Sequence, residues 1–80
     1  MTVKLFIGAS CPSCPTAMTM LTKVAKELEI EFEIIDTSLI TGLNEAMKVG
    51  VRALPAFLID GRLFINVSES GLRRLLREVK

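Results

Sequence analysis

Eighty residues, half of them hydrophobic, suffice for one apolar core and predict a single domain over residues 1–80. Ten basic residues against nine acidic leave a formal charge of +1, so there is no basic surplus to hold nucleic acid or an anionic membrane. Histidine is absent, which excludes imidazole acid–base catalysis, Cys–His nucleophilic pairs and histidine-ligated zinc, and two cysteines cannot build a four-cysteine zinc site in one chain.

"VKLFI", Val3–Ile7, is a short apolar run closed by Gly8 and predicts a buried strand. "CPSCPTAMTMLTKVAKELE" follows, with Cys14, Met18, Leu21, Ala25 and Leu28 at helical spacing and Val24 beside them. This is an amphipathic helix with the cysteines at its first turn, where proline is tolerated because first-turn amides have no partner within the helix. "IEFEIID" alternates and predicts a second strand near a sheet edge, with Ile30, Phe32 and Ile34 on its apolar face. "TSLITGLNEAMKVG" predicts a shorter helix with Leu43, Ala46 and Met47 inward and Gly50 at its C-terminal cap.

"PAFLID" predicts a third strand, Asp60-Gly61 a two-residue hairpin turn, and "RLFINV" a fourth strand. "SESGLRRLLREVK" closes the chain as a helix, with Ser68 as N-cap, Glu69 at the positive start and Arg73, Arg74, Arg77 and Lys80 towards the negative end. The order is β-α-β-α-β-β-α. A strand–helix–strand opening implies a parallel pair, the late hairpin adds antiparallel strands, and an α/β fold with a mixed four-stranded sheet and helices on both faces is expected. No apolar run nears the roughly 18 residues of a membrane span. "MTVKLFIGAS" lacks the pattern of a secretory signal. The expected address is the cytoplasm.

Both cysteines lie in "GASCPSCPTAM". A disulfide closing so small a loop restricts the unfolded chain by at most about 2 kcal/mol, which makes it a poor staple. Two buried, inert thiols are the other structural alternative, and the prolines argue against it by placing Cys11 at the helix mouth. There, free amides and the helix dipole favour the thiolate, the nucleophile of disulfide exchange. Cys11 is then the attacking sulfur and Cys14, one turn inside, the resolving one. Pro12 and Ser13 between them tune the reduction potential, where 30 mV corresponds to roughly 1.4 kcal/mol. A C-x-x-C pair can also hold a soft ion such as Cu(I), or an iron–sulfur cluster, so a metal module remains the alternative function. A non-catalytic adaptor is a third.

Nearly the whole chain resembles the thioredoxin-like superfamily. The resemblance rests on Cys11-Pro12-Ser13-Cys14 after the first strand, on "GVRALP", Gly50–Pro55, before the third, and on the closing "SESGLRRLL". Length and the "CPSCP" core are similar to the small thioredoxin/glutaredoxin-like proteins of archaea and some bacteria. Only about 5–6% of X–Pro bonds in folded proteins are cis, so sequence alone favours trans at Pro55, whereas the resemblance implies cis. It also implies that Leu54 and Pro55 form a substrate-docking edge beside Cys11. The implied activity is that of a protein-disulfide oxidoreductase and electron carrier, without bound cofactor or metal and recharged by a thioredoxin-reductase-like or other electron donor; balanced charge and one compact domain favour a monomer.

Four departures stand out. Ser10 replaces the tryptophan usual before the first cysteine, and no acid lies in "VKLFIGAS" to help deprotonate Cys14. Ile65-Asn66-Val67 replaces a glycine-bearing loop. Gly8-Ala9 and "NVSESG" lack the lysine and the Gly-Gly segment with which glutaredoxins bind glutathione. A protein dithiol or disulfide, rather than glutathione, is therefore the expected substrate. Met18, Met20 and Met47 read as packing residues rather than soft metal ligands. Arg52 is either a plain surface cation or one that favours anionic partners.

Overall fold

A computed structural model describes residues 2–79 of the chain. Its elements run β1 (Thr2–Ile7), α1 (Cys14–Leu28), β2 (Glu31–Asp36), α2 (Ile40–Val49), β3 (Ala56–Ile59), β4 (Arg62–Phe64) and α3 (Glu69–Val79). The sheet order is β2-β1-β3-β4, with β1 parallel to β2 and antiparallel to β3, and β3 antiparallel to β4. The α/β fold with a mixed four-stranded sheet and three helices is the one expected from the sequence. Lys80, placed by its charge at the end of the last helix, lies outside the described residues.

Alternation along the two inner strands sends side chains to opposite faces. Val3 and Leu5 of β1 join Phe57 and Ile59 of β3 beneath α1 (Ala17, Leu21, Val24, Ala25) and α3 (Leu72, Leu76). Phe6, Ala56 and Ile35 turn the other way and meet Ala46 of α2. Both faces of β1 are thus covered, which is why "VKLFI" reads as an apolar run rather than as an alternation. The hairpin turn takes positive φ at both Asp60 (52°) and Gly61 (78°), the backbone of a type I′ connection. At the start of α3 the Ser68 hydroxyl accepts the Gly71 amide at 3.1 Å, so Ser68 is the N-cap.

Several local expectations change. β2 carries Phe32 at its edge, where it stays exposed, while Ile35 on the strand's other face is buried. α2 covers that face only near the end of β2, so Glu31 and Glu33 remain in solvent. The inner residues of α2 are Gly42 and Ala46, not Leu43 and Met47, which are 45% and 68% exposed. A Cβ on Gly42 would collide with the Asp36 carbonyl. The helix therefore lies close to the sheet through its small residues, and its larger ones are turned away. β4 stops at Phe64, because Asn66 enters the left-handed region (φ 55°) and Ile65 swings into solvent. Met18 and Met20 do pack against the core.

Arg73, expected to complement the dipole of the last helix, instead bridges two helices. Its Nε donates to Glu27 Oε2 of α1 at 3.0 Å and its Nη2 to Glu69 Oε2 at 3.3 Å, while Lys23 Nζ reaches Glu69 at 3.0 Å. The Arg73 guanidinium holds the Glu27 carboxyl below its ordinary range, and Lys23 followed by Arg73 does the same for Glu69. On the opposite face Lys4 Nζ donates to Glu45 Oε2 at 2.7 Å and ties α2 to β1.

Two outcomes are expected. Gly42→Ala will destabilise the fold by about 1–3 kcal/mol in urea titrations, although alanine is the better helix former, because overpacking outweighs propensity. Glu27 and Glu69 have folded pKa values below the usual 4.5, so their contribution is present above that pH and is lost as pH falls through the lowered values. Acid denaturation of Glu27→Gln/Glu69→Gln will be shallower than that of the parent below about pH 4.5 at low salt, and high salt will narrow the difference, since the network is exposed.

Candidate functional site

The chain leaves β1 at Ile7 and turns through Gly8, Ala9 and Ser10 before reaching Cys11. Gly8 sits where two other loops converge: a Cβ there would lie 2.7 Å from Leu54 Cδ1 and 2.8 Å from Thr37 Oγ1. Thr37 is fixed to the end of β1, since both its amide and its hydroxyl donate to the Ile7 carbonyl at 2.8 Å. Ser10 takes φ 58°, a left-handed conformation that costs an L-residue about 1–2 kcal/mol.

Cys14 is the first residue of α1, with Ser13 at the N-cap position and Pro15 in the first turn. The proline's missing N–H costs nothing there. The Cys14 amide donates to the Cys11 carbonyl at 3.2 Å, which curls Cys11 back over the helix mouth. The two sulfurs are bonded to each other, with Cα atoms 5.4 Å apart. Their environments differ: Cys14 is 3% exposed, whereas Cys11 is half-buried and reaches solvent. From Phe6 to Thr22 the sequence has no charged side chain. A thiolate at Cys11 therefore meets the positive end of α1 and no carboxylate from its own segment.

The Leu54–Pro55 peptide is cis, which overturns the trans expectation drawn from frequencies alone. Pro55 forms one wall of a groove of about 450 Å³ beside the disulfide. Pro12, Ser13, Thr16 and Met20 line its α1 side, and Asn66, Val67 and Ser68 close it from the loop before α3. The sequence reading did not anticipate this third wall. The signal was present, because asparagine is among the few residues that tolerate positive φ, and Asn66 adopts it. Leu54 is exposed and Pro55 half-buried beside it.

Among the described residues no charged or polar side chain is buried, so no buried acid accompanies Cys14. Nor does any group of three or more His, Cys, Asp or Glu side chains among them form a possible metal site. No described helix is long and apolar enough to cross a membrane.

A cysteine pair at a helix mouth, one sulfur buried and one accessible, on a β-α-β-α-β-β-α fold defines a dithiol–disulfide exchange protein. Comparisons with known proteins agree. The Thioredoxin_3 family model, a thioredoxin domain, matches residues 1–71, and the chain belongs to this family. It is 39% identical over 80 residues to a probable thioredoxin of Archaeoglobus fulgidus, covering 98% of this chain and 88% of that protein. It is 30% identical over 59 residues to a thioredoxin of Methanocaldococcus jannaschii, covering 74% of this chain and 69% of that one. In fold it is similar to thioredoxin 1 of Thermosipho africanus, with a TM-score of 0.82 over 98% of this chain and 92% of that one at 21% identity. Thioredoxin O2 of Arabidopsis thaliana in its oxidised state gives 0.79 over 99% and 75% at 19%.

The protein is a small thiol–disulfide oxidoreductase, and the metal or cluster module is not favoured. Its substrates and electron donors belong, in general terms, to the protein disulfides and reductases that serve this family.

The burial difference sets the order of chemical modification. After reduction, limiting iodoacetamide at neutral pH will alkylate Cys11 at least about tenfold faster than Cys14, since Cys11 reaches solvent and Cys14 is buried. Peptide mapping of the singly labelled species reads the ratio, and equal labelling would contradict the assignment.

Proposed function

We propose that Cys11 is the nucleophile and Cys14 the resolving thiol of a protein-disulfide reductase, with Leu54 and Pro55 as the docking edge and Pro12 and Ser13 setting the potential. The observation that carries this reading is the unequal exposure of two bonded sulfurs at the start of one helix. The Cys11 thiolate attacks one sulfur of the substrate disulfide. A mixed disulfide forms and the other substrate sulfur leaves as thiolate. Cys14, deprotonated, then attacks Cys11 Sγ, reforms the Cys11–Cys14 bond and releases the second substrate thiol. Two electrons and two protons pass to the substrate in total. A thioredoxin-reductase-like donor returns the electrons. With no buried acid to accompany Cys14 among the described residues, its proton goes to water.

The groove between Pro12, Pro55 and Asn66 is wide enough for an extended segment around a substrate cysteine. The 80 residues act as one monomeric domain in a reducing compartment, the cytoplasm, where a dithiol can be kept charged. Protein disulfides fit this open, uncharged surface better than glutathione, whose two carboxylates meet no cation in the groove.

Cys14→Ser will accumulate mixed disulfides with protein substrates through Cys11, visible on non-reducing gels and cleared by dithiothreitol. Cys11→Ser will accumulate none. Trapping by both variants alike would reverse or dissolve the two roles.

A further inference from the structure

Thr37 takes no part in the exchange steps, yet the turn around it is closely tied. The Asp36 carbonyl accepts the Leu39 amide at 3.2 Å, while Asp36 Oδ1 accepts the Ser38 amide at 2.9 Å and the Ser38 hydroxyl at 2.7 Å. Thr37 lies inside that turn. Its amide and its hydroxyl both donate to the Ile7 carbonyl at 2.8 Å, and together they use both lone pairs of the last acceptor of β1. The amide bond continues the parallel ladder past the Ile7–Asp36 pair, and any residue but proline makes it. The hydroxyl bond belongs to the side chain.

That second bond fixes where Oγ1 lies. A Cβ on Gly8 would meet Thr37 Oγ1 at 2.8 Å and Leu54 Cδ1 at 2.7 Å, so the hydroxyl and the leucine methyl share the space that a side chain at residue 8 would take. Three segments converge on this bare Cα: residues 8–10, which lead to Cys11, the turn between β2 and α2, and the loop that ends at Leu54 and Pro55. Leu54 is 37% exposed, so it rests on Gly8 and still offers surface to a partner.

We propose that Thr37 is a positioning residue for the exchange reaction: its hydroxyl, anchored on β1, sets where Leu54 rests against the loop that carries Cys11, and so fixes the spacing between the docking edge and the attacking sulfur. This rests on the docking role proposed above for Leu54 and Pro55. β1 is a firm reference for that spacing, because both of its faces are covered and Cys11 follows Ile7 by only four residues. Valine at position 37 would put a methyl where Oγ1 stood, larger than the oxygen and without the bond to Ile7, and would push Leu54 off its seat. Serine would keep both the oxygen and the bond.

The test follows reduction of insulin disulfides with dithiothreitol as electron source. Thr37→Val should raise the KM about tenfold and leave kcat within about twofold, since contacts at the edge are made before and during exchange alike. Thr37→Ser should keep the parent KM. The rate on 5,5′-dithiobis(2-nitrobenzoate), a small disulfide that needs only the accessible sulfur, should fall by no more than about twofold in the valine variant. Coupling to Leu54 separates positioning from a purely structural role. In a Leu54→Ala background Thr37→Val should change KM by less than about twofold, because the side chain it seats is gone, whereas a general loss of stability would add in both backgrounds. Gly8→Ala approaches the same point from the other side, with a Cβ that would displace Leu54. It should raise KM in the parent and add little in the Leu54→Ala background, and it carries the test if circular dichroism shows the valine variant unfolded.

A folded Thr37→Val protein with the parent KM overturns the proposal. So do equal fold-changes in the two backgrounds, and so does a valine variant as slow on the small disulfide as on insulin, because Thr37 would then act on Cys11 itself. Failure of the docking role looks different: Leu54→Ala alone keeps the parent KM, which overturns both readings.

Discussion

The burial of one sulfur at the first residue of α1 is the constraint on which the site depends. Cys14 is carried into the protein by the same helix face that brings Ala17, Leu21 and Val24 onto the sheet. Once that face is seated, the chain just before it has no choice but to stay at the surface. Pro15 cannot extend the helix hydrogen bonding backwards, and the Cys14 amide closes a turn onto the Cys11 carbonyl. Cys11 is therefore held over the helix end by the packing of residues that play no part in the chemistry. Differential access of the two thiols follows from core geometry rather than from any special group near sulfur.

The two faces of the sheet are packed by opposite means. Beneath α1 and α3, leucine, valine and phenylalanine side chains interdigitate, and Arg73 spans the two helices to Glu27 and Glu69. That face fixes the angle at which α1 presents its N-terminus. On the other face α2 approaches through Gly42 and Ala46, with Lys4–Glu45 as its tether. Close approach by small residues needs little apolar bulk, and the larger Leu43 and Met47 of α2 stay exposed.

Electrostatics near the disulfide are sparse. The segment from Phe6 to Thr22 is uncharged, and no buried acid accompanies Cys14 among the described residues. A thiolate there is favoured by the helix end alone, whose influence fades within a turn. The groove lined by Pro12, Pro55 and Asn66 beside it is likewise without a charged side chain.

Periodicity and spacing in the sequence were enough to establish the order of elements, the parallel opening, the hairpin at Asp60-Gly61, the Ser68 cap and the chemical importance of Cys11 and Cys14. These are local signals: each is read from residues within a turn or a strand of one another. The tertiary structure alone decided that α2 turns Leu43 and Met47 outward, because a helix with two apolar rows can bury either, and the gap above the sheet admits only the smaller. It alone decided that Asn66 ends β4 and walls the groove, and that Arg73 joins two helices. Those outcomes involve partners far off in the chain, 41 residues for the Lys4–Glu45 tether of α2 and 46 for Arg73–Glu27, or on the other side of the sheet, and no pattern within a short window records which partner a side chain will meet.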